Sequence, residues 1–478
     1  MGGHCPPFPN PYIFEVIMFK RYIGDKTFYR RVAGVAVPIV IQSFITNFVS
    51  LLDNIMVGQV GTVQMSGVAI VNRLLFIFNL CVFGAVAGAG IFTAQFHGFQ
   101  DHKGVRHTFH YKIFAVSVVS IGGILLLQLA GPSLISLYLQ SDSSPVDAAA
   151  TLQHGWDYLQ IMLIGLIPFA FSNAYAGTLR ETGKTSVPMV AGVTAVLVNL
   201  ALNYVLIFGH LGAPAMGVRG AALATVISRF VELGIVASWT HLNPKKNPFI
   251  VGAYRHMGIP AALLKKIFIK GMPVLINEFL FSTGLALIDQ CYSVRGLDVV
   301  AATNISTTLY NLSSVLYLSL GNVIGIIMGQ MMGAGAGKTE IRSTLSKLTF
   351  LSMSSCLVFG LLLIGLSVPF PLIYNTTPAV RSLATKLIII SAFTMPLYAY
   401  IHAVYFAMRS GGKTMLTFAF DSGSIWLGSL PLAYCLSRFT GLPMVPMYIL
   451  VMGVEALKCV IGFFIIKSDS WIQDLTKL

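Results

Sequence analysis

The sequence predicts an all-α integral membrane protein, with twelve transmembrane helices in two six-helix lobes related by a pseudo-two-fold axis along the membrane normal. Three observations carry that prediction. The 478 residues are 55% hydrophobic and only 10% charged, with a mean hydropathy of +0.78, whereas soluble domains run about a quarter charged. Twelve apolar stretches reach the roughly twenty residues that a bilayer core requires. The second half of the chain also repeats landmarks of the first at a spacing near half its length.

Residues 1–31 hold Lys20, Arg21, Lys26, Arg30 and Arg31 ahead of the first span and show no cleavage signal, so that span is expected to stay in the protein. The N-lobe, 32–240, is predicted to contain spans at 32–57, 66–96, 109–132, 156–179, 187–209 and 217–240. The first is opened by Pro38 and closes on Asp53; the second ends at Gln95 and is long enough to tilt or protrude. A basic linker follows at 241–271, where Lys245-Lys246 and ALLKKIFIK suggest an amphipathic helix on the inner membrane surface. The C-lobe, 272–467, takes spans at 272–294, 303–332, 343–367, 384–408, 414–437 and 443–466, leaving a short tail at 468–478.

Loop charge sets the expected orientation. With both termini cytoplasmic, the inner segments collect 23 Lys and Arg and the outer loops only five, which is the positive-inside bias. The same distribution argues that the net charge of +14 reflects short membrane-flanking loops rather than nucleic-acid binding. The six cysteines show no CxxC spacing and read as small buried apolar residues. Three GKT triplets, at 183–185, 337–339 and 412–414, lack the glycine of a phosphate loop, since Thr178, Met332 and Ala407 stand there. They read as basic turns at helix ends, so no ATP is expected.

The repeat is specific. VPIVIQSFITNFVSLLD (37–53) is answered by MPVLINEFLFSTGLALID (272–289), Gln95 by Gln330, Pro168 by Pro396, RETGKTSVP (180–188) by RSGGKTMLT (409–417), and Glu232 by Glu455. Against that frame the intramembrane polar residues are candidate sites, because an ionisable group in a span is expensive and by default marks a pathway, a relay or a buried pair. Glu278 and Asp289 share one face of the seventh span, with Ser282 and Gly284 on or near it. Asp289 has a counterpart in Asp53, whereas Glu278 corresponds to Ser43, so the charge of Glu278 is peculiar to the second lobe. Glu278, Asp421 and His402 come to similar depths and could surround one C-lobe cavity, trading a proton or holding a monovalent cation; the bland alternative has Asp421 merely packing against a neighbouring helix. Gln42 and Asp53 lie roughly on one face of the first span, and Arg73 enters the second at about the depth of Asp53. That leaves open a structural ion pair or a protonatable N-lobe acid. Arg229–Glu232 and Glu455–Lys458 read as structural i,i+3 pairs, while Asn199 and Asn203 read equally as interhelical glue or cavity lining.

Taken together, DNIMVGQVG (53–61), AQFHGF (94–99), RETGKTSVP and PVLINEFLFSTG (273–284), in that order and with internal repetition, resemble the multidrug and toxic compound extrusion (MATE) family over about residues 30–467. The resemblance implies export of organic cations or other amphipathic compounds in exchange for H⁺ or Na⁺, as two lobes rock between outward-open and inward-open states. By the same resemblance Asp53 matches a proton-coupling aspartate, Glu278 corresponds in role to a coupling glutamate, and Asn199 matches an asparagine of the proton-coupled branch. The sequence departs from that pattern at Asn203, where an aspartate is expected, and at Tyr398, where the sodium-linked branch has an acid one turn before His402. Expected partners are small organic molecules and the bilayer of the plasma membrane, with no cofactor beyond the coupling ion, which as Na⁺ would sit near Glu278. The chain is expected to act as a monomer and not as an enzyme. A flippase for a lipid-linked precursor is the alternative; it calls for a strongly cationic central cavity, and the interior charges read as mostly acids or paired.

Overall fold

The computed structural model of the chain describes residues 22–137, 145–255 and 257–476, without the side chains of 50, 51, 53–55, 58, 62 and 145. The first lobe is built from α1 (Lys26–Gly58), α2 (Thr62–Gly98), α3 (His102–Ser136), α4 (Pro145–Glu181), α5 (Ser186–Phe208) and α6 (Val218–Leu242). The second is built from α7 (Ala261–Ser293), α8 (Leu297–Gly333), α9 (Lys338–Leu366), α10 (Pro378–Ser410), the composite α11 over 414–439 and α12 (Met444–Lys467). Eleven of these are single helices long and apolar enough to cross a membrane. The twelfth, α11, is helical throughout but assembled from α turns at Thr414–Phe418 and Leu430–Phe439 around π turns at Ala419–Gly423 and Ile425–Ser429.

Most helices run past the predicted apolar stretches, because helical hydrogen bonding continues into flanking polar residues once a span has nucleated the helix. The largest extension corrects the linker. Residues 261–270 do not form a separate surface helix; they are the first turns of α7, with Leu263 and Ile267 buried in the N-lobe core while Lys265 and Lys266 stay exposed. Proline sits inside α1 (Pro38), α4 (Pro168), α7 (Pro273) and α10 (Pro396), the repeat-related positions. Two of the GKT triplets prove to be helix stops. Gly183 and Gly412 adopt φ of 77° and 74°, a left-handed turn that spares glycine any Cβ clash, and the following Lys184 and Lys413 N–H groups bond back to Leu179 and Met408.

The cores show how the lobes meet. One cluster is centred on α2–α6 and takes in the start of α7; another is centred on α8–α10 and takes in Val32, Ala36 and Ile39 of α1. Each lobe thus lends the first turns of its leading helix to the other. The two halves touch most closely at the end of the bundle that carries the linker, here called the linker end. There a Cβ on Gly98 would fall on the Gln330 carbonyl oxygen, and one on Gly333 would fall on that of Gln95. The Gln330 amide donates to Glu181 O (2.8 Å), and the Gln95 amide donates to Ser410 O (2.8 Å), its repeat counterpart. Residues 469–475 lie across this seam. Trp471 is fully buried in the C-lobe cluster, Leu475 packs on the N-lobe cluster, and Gln95 receives the Leu475 N–H (2.6 Å) while donating to Gln473 O (3.0 Å). Away from the seams the surface is apolar, as at Leu125, Leu126, Leu129 and Leu427, which suits contact with lipid chains.

Candidate functional site

Two polar regions stand out in the apolar interior of the described residues. The first lies inside the C-lobe where α7, α10, α11 and α12 converge. Asp421 sits in the π-helical part of α11, a geometry that releases backbone groups and recurs at functional sites. Asn277 of α7 takes up the slack: its Oδ1 accepts from the Ser422 N–H (3.2 Å) and from the Ser422 hydroxyl (2.6 Å). Its Nδ2 donates to Asp421 Oδ2 (3.1 Å) and Tyr405 Oη (3.3 Å). The other Asp421 oxygen accepts from Lys458 Nζ at 2.9 Å, and Glu455 Oε2 lies 3.7 Å from the same ammonium. Lys458 is 3% exposed, so this is a buried ion triad held by hydrogen bonds rather than a solvated pair.

Glu278 borders the triad without joining it. Its side chain is half-buried, its Oε1 accepts a long hydrogen bond from Tyr405 Oη (3.4 Å), and the charged groups that act on it are Arg409 and Asp421. His402 is turned to other work: Nδ1 lies 2.8 Å from Tyr398 O, and the ring packs 4.7 Å from that of Tyr317. Tyr398 stacks on Tyr317 and donates to Met452 Sδ (3.3 Å). The structure therefore brings Glu278 and Asp421 into one neighbourhood through Asn277 and Tyr405. Neither connector is marked in the sequence, because a neutral amide and a phenol carry no charge signal.

The second region is a cavity of about 350 Å³ between the lobes, walled by α1, α2, α4, α8 and α10. Its polar lining is Gln42, Ser43, Thr46, Asn47, Asn173, Arg180, Glu181, Asn322, Arg409 and Ser410. The residues nearest the linker-end seam, Ala94, Glu181 and Ser410, floor it. Lys112, buried in α3, is bonded to the Glu181 carboxylate and to Thr178 Oγ1 (3.2 Å). Gln42 Oε1 accepts from Arg180 Nη2 at 3.1 Å. None of Glu278, His402 and Asp421 lines this chamber.

The remaining predicted residues fall elsewhere. Asn199 donates to Thr225 Oγ1 (3.2 Å) and Asn203 donates to Asn199 Oδ1 (3.2 Å), a buried amide ladder between α5 and α6. Asp289 is exposed and makes no ion pair among the described residues. The Asp53 side chain, and with it the suggested Asp53–Arg73 pair, lies outside the described residues; Arg73 is exposed. Glu455 and Lys458 pair as expected, at 3.7 Å, and Asp421 from α11 adds a closer contact to the same ammonium, at 2.9 Å. Arg229 and Glu232 do pair, at 3.3 Å. The expectation that interior charges are acids or paired needs correcting. Arg180 and Arg409 fall just past the predicted spans 156–179 and 384–408, yet α4 and α10 run to Glu181 and Ser410 and carry both guanidiniums into the cavity wall. Among the described residues no group of three or more His, Cys, Asp or Glu side chains could hold a metal ion.

Comparison with known proteins agrees with this architecture. A family model described as MatE matches residues 38–205 and 273–435, one segment in each lobe. A protein of Thermotoga maritima named probable multidrug resistance protein NorM is 24% identical over 464 residues, covering 95% of this chain and 96% of its own length. The multidrug resistance protein MdtK of Edwardsiella ictaluri is 25% identical over 416 residues, covering 85% and 87%. Among solved structures, the outward-facing conformation of a multidrug resistance MATE family transporter of the MOP superfamily gives a TM-score of 0.83 at 17% identity, covering 94% of this chain and 97% of that one. A MOP superfamily transporter from Pyrococcus furiosus gives 0.77 at 16% identity, with the same coverage. These structures share the fold.

Proposed function

The chain belongs to the MatE family, and from that premise we propose that it is a secondary active exporter of amphipathic organic compounds, driven by ion exchange across the plasma membrane. The observation that carries the reading is the interlobe cavity, floored at the linker end by a seam of repeat-related glycines and glutamines. A seam made of close backbone approach and four hydrogen bonds, with no interlobe ion pair among the described residues, can open without stranding buried charge. The two lobes then rock about the cavity, which is alternating access. The linker end is taken as cytoplasmic because the basic loops gather there.

Glu278 is the proposed coupling residue, and H⁺ the proposed ion. Lys458 already fills the cation position on Asp421, so a second cation in that pocket would face an ammonium. Glu278 is the acid of the group that no ammonium or guanidinium holds within 4 Å, and the Tyr405 hydroxyl is the one group hydrogen-bonded to it among the described residues, a set suited to a proton more than to Na⁺. The test is ethidium efflux from proteoliposomes under separately imposed H⁺ and Na⁺ gradients. Efflux driven by the proton gradient alone is expected; efflux driven by Na⁺ alone would reassign the ion, and no efflux of ethidium or of an anionic dye such as fluorescein under either gradient would defeat the exporter reading. The flippase alternative is favoured by one observation, the two arginines in the cavity.

A further inference from the structure

The interlobe chamber has a charge pattern of its own. Arg180 ends α4 and Arg409 ends α10, and these are repeat counterparts, so each lobe contributes one guanidinium to the same wall. No carboxylate lies within 4 Å of either among the described residues. Glu181 is taken by Lys112, Glu232 by Arg229, and Asp421 by Lys458. Arg180 spends one N–H on Gln42. Arg409 is only 7% exposed, its Nη1 has no hydrogen-bond partner, and its guanidinium lies 5.6 Å from the Phe83 ring and 5.5 Å from that of Phe406. Two aromatic faces from opposite lobes fix the plane of the fork without using its donors. Glu278 acts on Arg409 from outside the chamber, while Glu232 and Glu181, each already paired with another cation, act on Arg180. Apart from Glu181, which Lys112 neutralises, the rest of the lining is amides and hydroxyls, with Ile39, Ile91 and Ile326 among the apolar part.

We propose that this chamber recognises the anionic group of an amphipathic cargo, a carboxylate, sulfonate or phosphate ester, with Arg409 as its principal ligand and Arg180 as the partner from the other lobe. A planar guanidinium with free donors matches the two oxygens of such a group, and the apolar wall accepts the body of the molecule. The inference rests on the exporter reading and narrows its cargo from amphipathic compounds in general to anions.

Proteoliposomes holding the full chain, preloaded with fluorescein or with ethidium, separate the outcomes. Gradient-driven fluorescein export is expected, with the fluorescein-to-ethidium rate ratio falling at least tenfold in Arg409→Gln and in Arg180→Gln. Arg409→Lys, which keeps the charge and loses the fork, should fall in between. NBD-labelled phosphatidic acid in the same vesicles, followed by dithionite quenching, distinguishes a lipid-borne anion, since its translocation would then be the rate that Arg409→Gln lowers. Ethidium export with neither anion moved overturns the inference and leaves the exporter reading standing; so does an unchanged ratio in both glutamine variants. No movement of any cargo under either gradient defeats the exporter reading itself. Should a variant fail to insert, wild-type transport decides: inhibition by naphthalene sulfonate and not by tetraphenylphosphonium supports the anion site, and the reverse overturns it.

Discussion

Lys458 shows what the interior asks of one residue. Its ammonium is buried and serves Asp421 at 2.9 Å and Glu455 at 3.7 Å, so removing it leaves two acids with no counter-ion on them. Lys458→Met should therefore cost about 3–5 kcal/mol, the usual penalty for breaking a buried pair. Neutralising the acid as well, in Lys458→Met with Asp421→Asn, should recover much of the lost thermal stability in detergent; a double variant no more stable than the single one would mean that the triad is not the source. Glu278→Gln makes the opposite case. It strips no ion pair, so the protein should stay as stable as before while gradient-driven transport is lost and cargo exchange at equilibrium persists. Undiminished proton-driven efflux from that variant would remove Glu278 from the mechanism. Sequence alone could flag these charges, since each is costly in lipid. It could not choose between a neighbour three residues away and one brought in from another helix.

Helices carry the next level of specification. The crossing of α2 and α8 depends on Gly98 and Gly333, each of which leaves room for the carbonyl oxygen of a glutamine on the other helix. A methyl group at either site has nowhere to go without backbone movement, and overpacking of this kind costs about 1–3 kcal/mol. Because the clash exists only while the seam is shut, Gly333→Ala should shift population towards a state with the linker end open, by about tenfold for each 1.4 kcal/mol. A spin-label pair at the exposed Lys103 and Lys338 would report it as a longer distance distribution; no change would mean that the seam yields elsewhere. α11 is the element whose character the sequence hid. Its apolar content predicted a plain span, but the π turns around Asp421 depend on Asn277 of α7 accepting the Ser422 N–H, an interaction that no local pattern announces.

At the scale of the whole molecule, the duplication was the most legible feature, because Gln95 with Gln330 and Pro168 with Pro396 survive in the sequence and fall at matching places in the two lobes. The cavity was less legible. Arg180 and Arg409 looked like loop cations because apolar content falls away before each helix ends, and only the extended α4 and α10 turn them inward. The segment 469–475 reads in the sequence only as part of a short tail, yet it joins both lobes through Trp471, Gln473 and Leu475. Removing everything after Lys467 should leave the twelve helices folded and loosen the linker end. The Lys103–Lys338 distance distribution should broaden, and an unaltered distribution would show that the seam needs no help.

That segment also has a consequence for biosynthesis. Residues 471–475 leave the ribosome after all twelve helices have been made, so the Gln95 side chain, synthesised some 380 residues earlier, waits through the synthesis of every later helix for two of its three partners. The lobes can insert and pack as they emerge, but the fastening between them is tied last. A nascent chain stalled between Lys467 and Trp471 carries all twelve helices without that fastening, its linker end held by the Gln330–Glu181 and Gln95–Ser410 bonds alone.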